Sequence, residues 1–376
     1  MLHNDRAAAH HELHARPFPS MKFDAHLLQL CVKASAMSIE DVWRWLSDQI
    51  SGLPASPCAW QSDNDYWVKV EPHTEFISIL WLSAQPVQLP AHWLDVAPTP
   101  IFVLSAFDPA PEDVVETRPV LSQMFEGKLT AGTDFLMGPD GVTRWSYAFS
   151  VAPDPENRGR ALQMLVEVET YRILAMLRMD QIRAVHPKLQ SISVTAASIQ
   201  LSGAASQQTL EQLEQCESQL DEVWQQINWR IGACRAYYDL VFQRLEDLTE
   251  QTTAGHTSIK RFLGRRMTPA VRTAETVLKR QQELADQVSH KANLLRTRMQ
   301  LDLHEHHVKQ VARQTRLQAT VEGLSVVAIS YYAYGLLSKF LAPMIPAVAT
   351  KQLDIALVPA VVMLVWLALK RIKRHL

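Results

Sequence analysis

The sequence predicts an α+β protein in three parts: an N-terminal mixed α/β domain, a long antiparallel α-helical stalk of coiled-coil type, and a C-terminal two-helix transmembrane hairpin. Three observations lead there. Residues 20–155 hold short apolar runs, alternating or continuous, set between Pro, Gly and Asp turn signals. From Leu213 to Leu248 apolar side chains recur at heptad spacing. From Gly323 to Leu369 two charge-free apolar runs follow one another and end in the basic "KRIKRH".

In chain order, residues 1–19 are polar and lack the apolar core of a secretory signal. The stretch "HHELHARPFP" looks at first like a metal site. A short helix ending before Pro17 would present His10 and His14 on one face, but it offers no third ligand. The better reading is a docking segment, with Arg16 held by a carboxylate and Pro17 fixing the exit of the chain.

Residues 20–155 form the mixed domain. "SMKFDAHLLQLCV" alternates as a strand does, and Ser38 with Asp41 resembles a capping box opening the helix "IEDVWRWLSDQIS". "YWVKVEPHTEFISILWL" is strand-rich with a break near Pro72, and "IFVLSAF" reads as a buried strand. "TDFLMGPDGVTRWSYAFSV" reads as two strands about a Pro-Asp-Gly turn. From Pro155 the apolar spacing becomes helical, which makes residues 156–204 a helical connector.

Residues 205–317 form the helical hairpin. Leu213, Leu220, Ile227, Cys234, Val241 and Leu248 make one heptad series; Trp224, Ile231, Tyr238 and Leu245 make a second, four places on. A second helix is expected to start at Thr268-Pro269 and continue without Gly or Pro as far as Glu322. Its apolar stripe runs Val277, Leu284, Val288, Ala292, Leu295, Met299 and Leu303.

Residues 318–376 carry the membrane hairpin. Lys309, Arg313 and Arg316 precede the first span, and Lys370, Arg371, Lys373 and Arg374 follow the second, against two lysines between them. That asymmetry puts both termini in the cytoplasm. Ser325, Ala328, Tyr332 and Gly335 share one face, and Ala356 and Ala360 form a small-xxx-small pair; such faces favour helix contacts in lipid.

The formal charge of −2 supplies no field for nucleic acid, and four cysteines without CxxC spacing fit a reducing compartment. No nucleotide-loop, zincin or nucleophile-elbow motif is present, so no cofactor is expected. The remaining candidates are His73 with Glu75 on one strand face, Glu169 with Arg172 at i, i+3, and Arg265 with Arg266 in a basic cluster. Each has a plain structural alternative: a surface pair, an ion pair, a solvated turn. His304, Glu305, His306 and His307 would hold a metal only if another helix added ligands.

Taken together, several stretches resemble an uncharacterised bacterial family, domain of unknown function 3422, described as membrane-anchored proteins. The matching residues are "ELHARP" (Glu12–Pro17), "HTEF" (His73–Phe76), "TDF…DG…R" (Thr133–Arg144), "VEVETYR" (Val166–Arg172), "RRMTPAVRT" (Arg265–Thr273), "LLRTR" (Leu294–Arg298) and "RLQATVEGLSVVAISYYAYGL" (Arg316–Leu336). The resemblance implies a multi-pass protein of the bacterial inner membrane and no established reaction. A looser architectural likeness is to CorA-type cation channels, although Tyr334-Gly335-Leu336-Leu337 stands where those carry Tyr-Gly-Met-Asn. The expected function is a membrane-anchored scaffold or interaction protein, self-assembling through stalk and membrane helices, with the lipid bilayer as partner. A CorA-like channel is one alternative. A membrane-bound enzyme using His73, Glu75 or Glu169 is another, and it requires those side chains to converge.

Overall fold

The computed structural model describes residues 20–33, 38–49, 61–63, 66–87, 101–151, 153–200, 207–341 and 350–373. The docking segment, with His14, Arg16 and Pro17, lies outside the described residues. The chain forms two compact units, residues 1–198 with 215–288, and residues 199–214 with 289–376.

The first unit is built on a mixed sheet. Its strands are β1 (His26–Lys33), β2 (Gln61–Asp63), β3 (Tyr66–Pro72), β4 (Phe76–Ser83), β5 (Ile101–Pro109), β6 (Val120–Met124), β7 (Leu129–Met137), β8 (Thr143–Phe149) and the two-residue β9 (Gln251–Thr252). They lie in the order β2-β3-β4-β1-β5-β8-β7-β6-β9. β5 pairs with β8 in parallel; the other neighbours are antiparallel. Helix α1 (Ile39–Gln49) starts at the expected box, where Ser38 Oγ accepts from the Asp41 backbone N–H at 3.1 Å. Helix α2 is the short Glu112–Val115.

Strand alternation divides the core in two. Leu28, Leu30 and Val32 of β1, Val68 and Val70 of β3, and Ile77 and Ile79 of β4 pack with Val42, Trp43 and Leu46 of α1. The opposite parity, Leu27, Cys31, Phe76, Leu80 and Leu82, faces helix α3 (Pro155–Met176). Helix α3 follows the Asp154 cap, with Pro155 in its first turn and the Asn157 N–H donating to Asp154 Oδ1 at 3.0 Å. It is buried nearly all round, because α6 (Gln207–Asp247) and the start of α7 (Ile259–Leu341) cover its outer side with Val241, Leu245, Leu248, Leu263 and Met267. Helices α4 (Met179–Ala184) and α5 (His186–Ser198) complete the connector.

The first heptad series is buried along α6 and one residue past its end: Leu213, Leu220, Ile227, Cys234 and Val241 in the helix, then Leu248. The second series shifts. Val223 and Arg230 take the inward positions in the first half, Trp224 is only half-buried, and Ile231 and Leu245 take over further on. Within the first unit α6 and α7 run antiparallel. Contacts pair Glu246 with Lys260, Tyr238 with Thr268, Arg235 with Glu275 and Leu220 with Gln281, one number falling as the other rises.

The expected start of the second helix at Thr268-Pro269 is corrected. Helix α7 begins at Ile259 and Pro269 lies inside it. Its opening N–H groups already have acceptors: Ile259 donates to Ser122 Oγ at 2.9 Å, Lys260 to Glu250 Oε1 at 2.9 Å and Arg261 to Ser258 Oγ at 3.2 Å. Burial of Ile259, Leu263 and Met267 in the core holds the turns that Pro269 weakens.

In the second unit, Arg296 bonds Glu214 at 3.0 Å, and Ala292 and Leu295 are buried. The expected stripe ends there. Met299 is half-covered, Leu303 is exposed, and every residue of α7 from 301 to 321 is exposed. Helix α8 (Thr350–Lys373) contains Pro359.

Candidate functional site

Under α3 the sheet carries polar side chains on its inward parity. Register sets them in two rows across β3, β4 and β1: Glu71, Ser78 and Cys31 in one, Lys69, Leu80 and Gln29 in the other. Lys69 is 1% exposed and forms an ion pair with Glu71. Facing them, α3 presents Gln163, Val166, Glu167, Thr170 and Tyr171, spaced i, i+3, i+4, i+7 and i+8 along one helix face. These two walls, with His73 and Phe76 at the β3–β4 turn and Arg244 from α6, enclose a cavity of about 160 Å³.

Gln29, Ser78, Leu80 and Thr170 are buried and form its floor; Glu71, His73, Glu167 and Arg244 are partly exposed and form its mouth. The His73 ring stacks on Phe76 at 4.1 Å, with Nε2 3.3 Å from Ser78 Oγ. Gln163 Nε2 donates to Glu167 Oε1 at 3.1 Å, and Arg244 Nε donates to Glu167 Oε2. Burial works against the Arg244 charge, but Glu167 and Asp247 more than offset it and hold its guanidinium above the usual range. Burial pushes the Cys31 thiol up to about 12, only partly countered by hydrogen bonds from Gln29 and Thr170. That sulfur is no nucleophile.

The three residues of the enzyme alternative do not converge. His73 lines the cavity. Glu75 instead accepts from Arg230 at 3.3 Å, and Arg230 also donates to the Leu174 carbonyl at 2.6 Å. That carbonyl belongs to the last turn of α3, so Glu75 orients a C-terminal helix cap. Beside it, burial pushes Tyr237 up to about 12, with the Glu75 charge adding to the effect.

Glu169 lies elsewhere again. It is 0% exposed, accepts from Ser105 Oγ on β5 at 3.3 Å, and takes two bonds from Arg172 at 2.8 and 2.6 Å. Arg172 stands over the Phe135 ring, Phe135 stacks on Phe262 at 4.9 Å, and Arg266 stands over the far ring. This column of cation, two rings and cation joins three of the quoted motifs and explains them by packing. Arg265 is exposed on α7. In the "TDF…DG…R" hairpin, Arg144 bonds Asp140 and holds its carboxyl down at about 2, while Gly141 supplies the positive φ of the turn.

On α7, His304, His306 and His307 are exposed and Glu305 pairs with Lys309 at 2.6 Å. Among the described residues no group of three or more His, Cys, Asp or Glu could hold a metal. Ser325, Ala328 and Tyr332 are exposed and Gly335 is half-covered; Ser330, on another face, is the buried residue of this stretch. Ala360 is exposed on α8, and the Ala356 side chain lies outside the described residues.

Sequence reasoning missed Gln29, Lys69, Glu71, Gln163, Glu167, Thr170, Tyr171 and Arg244. The signal was present in part. Gln29 stands between Leu28 and Leu30, Lys69 between Val68 and Val70, and Glu71 between Val70 and Pro72, polar side chains within apolar strands, and Glu167, Thr170 and Tyr171 sit within "VEVETYR".

The chain belongs to the family described as protein of unknown function (DUF3422), whose match covers residues 1–376. None of the curated proteins matches it. The likeness to CorA-type channels finds no support in these comparisons.

Proposed function

We propose that this protein is a membrane-anchored interaction protein of the bacterial inner membrane, multi-pass with both termini cytoplasmic, that acts by assembly and not by catalysis. One observation supports the anchor above the others. Helix α7 is long and apolar enough to cross a bilayer, and its apolar window is only 6% buried. Leu324, Val327, Tyr331, Tyr332, Leu336 and Phe340 all stand exposed. An apolar stretch belonging to a folded core would be covered, and leaving it in water costs roughly 25 cal/mol per Å². Lipid removes that cost.

The second span would be α8, whose described apolar part is the shorter stretch Val358–Ala368. The basic residues flanking the pair favour the stated orientation. Self-association would use the stalk together with the uncovered Ser325, Ala328 and Tyr332 face, where small residues let helices approach. Separate partners for His73, Glu75 and Glu169 favour assembly over an enzyme built on those residues.

The test is fractionation after carbonate washing of cells making the full chain or residues 1–317. The full chain should stay in the membrane pellet and the shortened chain should move to the supernatant. A shortened chain that is folded and still in the pellet would overturn the anchor.

A further inference from the structure

The cavity beneath α3 has the attributes of a ligand site. Its volume of about 160 Å³ is close to that of an engineered cavity that admits benzene, so it suits a molecule of about six non-hydrogen atoms. Gln163, which lines it, is 7% exposed, and its Oε1 has no hydrogen-bond partner. The amide cannot turn round to cure this. Its NH₂ already donates to Glu167, and a flip would set two acceptors against each other. A buried carbonyl left in that state asks for a donor.

The charges of the wall argue about the rest of the molecule. Lys69 pairs with Glu71, and Arg244 pairs with Glu167. A ligand bringing a net charge would meet carboxylates and cations already paired with one another, with the His73 imidazole at the mouth beside them, and an unpaired charge out of water is costly. Val166, Leu80 and Phe76 supply apolar wall.

We propose that this cavity binds a small uncharged molecule that donates N–H or O–H to Gln163 Oε1 and lays an apolar remainder against Val166, Leu80 and Phe76, the chemistry of a short primary amide. The site is independent of how the chain meets a membrane.

Saturation-transfer NMR on the full chain in detergent micelles, with empty micelles as background, tests this using three probes of one shape. Isobutyramide is neutral, isobutyrate an anion and isobutyramidinium a cation. Isobutyramide should give the strongest transfer, about tenfold above either ion, and Gln163→Leu should reduce it about tenfold. Leu80→Phe, which fills the cavity and leaves Gln163 in place, should abolish it. Equal or stronger transfer to either ion overturns the charge argument, and needs no variant to do so. Undiminished transfer in a folded Gln163→Leu or Leu80→Phe protein, or none to isobutyramide in the native chain, overturns the site.

Discussion

Replacing Arg172 by Leu isolates what the Glu169–Arg172 pair does. In the native protein the Glu169 carboxylate, fully buried, takes two short bonds from the guanidinium and one from Ser105. Arg172→Leu deletes both charge-assisted bonds and leaves an anion in the core, a change that costs about 3–5 kcal/mol. Glu169→Leu is milder, because the Arg172 side chain is 16% exposed and its head can turn to water. The double substitution removes both charges and should come within about 2 kcal/mol of the native chain. At about 2–4 °C per kcal/mol, Arg172→Leu should lower Tm by about 6–20 °C, with the double variant recovering most of it. Intrinsic tryptophan fluorescence reads the unfolding, since Trp145 is buried edge-on to the Phe135 ring under Arg172. A single variant that loses less than about 1 kcal/mol, or a double variant no better than the single, would refute the pairing argument.

Cys31, Cys216 and Cys234 are buried and free, with burial raising each thiol, Cys31 to about 12. In the folded chain at pH 8.5 iodoacetamide should leave all three unmodified, and modification should rise on unfolding; mass spectrometry of the peptides reads both. Cys31 and Tyr237, at about 12, and Tyr147, higher still, hold their protons more tightly folded than unfolded. Their contribution is complete below about pH 9 and is lost as pH rises from there towards 12, so Tm should be level to pH 9 and then fall. Asp154→Ala removes the cap of α3 and should cost about 1 kcal/mol by thermal unfolding. Gly132→Ala would place a methyl 2.8 Å from Arg118 Cβ and should cost about 1–3 kcal/mol, while Gly232→Ala, which meets nothing, should not destabilise.

What could be read in the sequence was what repeats locally. The buried row of α6 follows from heptads, the strand character of β1 from the alternation in "SMKFDAHLLQLCV", and the turn to helix from the apolar spacing after Pro155; β1 and β4 are apolar on both parities, so their two packing faces emerge only in the fold. The start of α7 could not be read, because its caps come from afar. Ser122 on β6 and Glu250 supply acceptors that no neighbour of Ile259 reveals, so Pro269 looked like a beginning. The cavity was hidden for a related reason. Glu71, Ser78 and Cys31 form a row only through strand register, and Arg244 arrives from the far end of a long helix. His73 and Glu75, two apart, read as neighbours on one strand face, either the start of a site or a surface pair. The turn at residues 73–75 ends the strand and sends them to different partners.

The exposed length of α7 presents two surfaces that call for two different surroundings. From Leu301 to Val321 apolar residues such as Leu303, Val308, Val311 and Leu317 are interleaved with Asp302, Glu305, Lys309, Arg313 and Arg316. A bilayer core would have to desolvate those charges, at a cost far above what the apolar neighbours return. A partner helix could instead cover the apolar positions and leave the charges at its rim in water. From Gly323 to Ser338 no charge intervenes and Leu324, Val327, Tyr331 and Leu336 are exposed, so lipid could take the exposed sides of the helix. Glu322 and Lys339 bracket that run where headgroups would lie. On the proposed membrane-anchored reading the change of surroundings would fall at residues 322–323, and it separates the two experiments. Truncation before residue 318 should end membrane attachment without ending self-association through Leu301–Leu317, which cross-linking of the released chain would read. A released chain that is monomeric at every concentration would leave those side chains without a purpose in assembly.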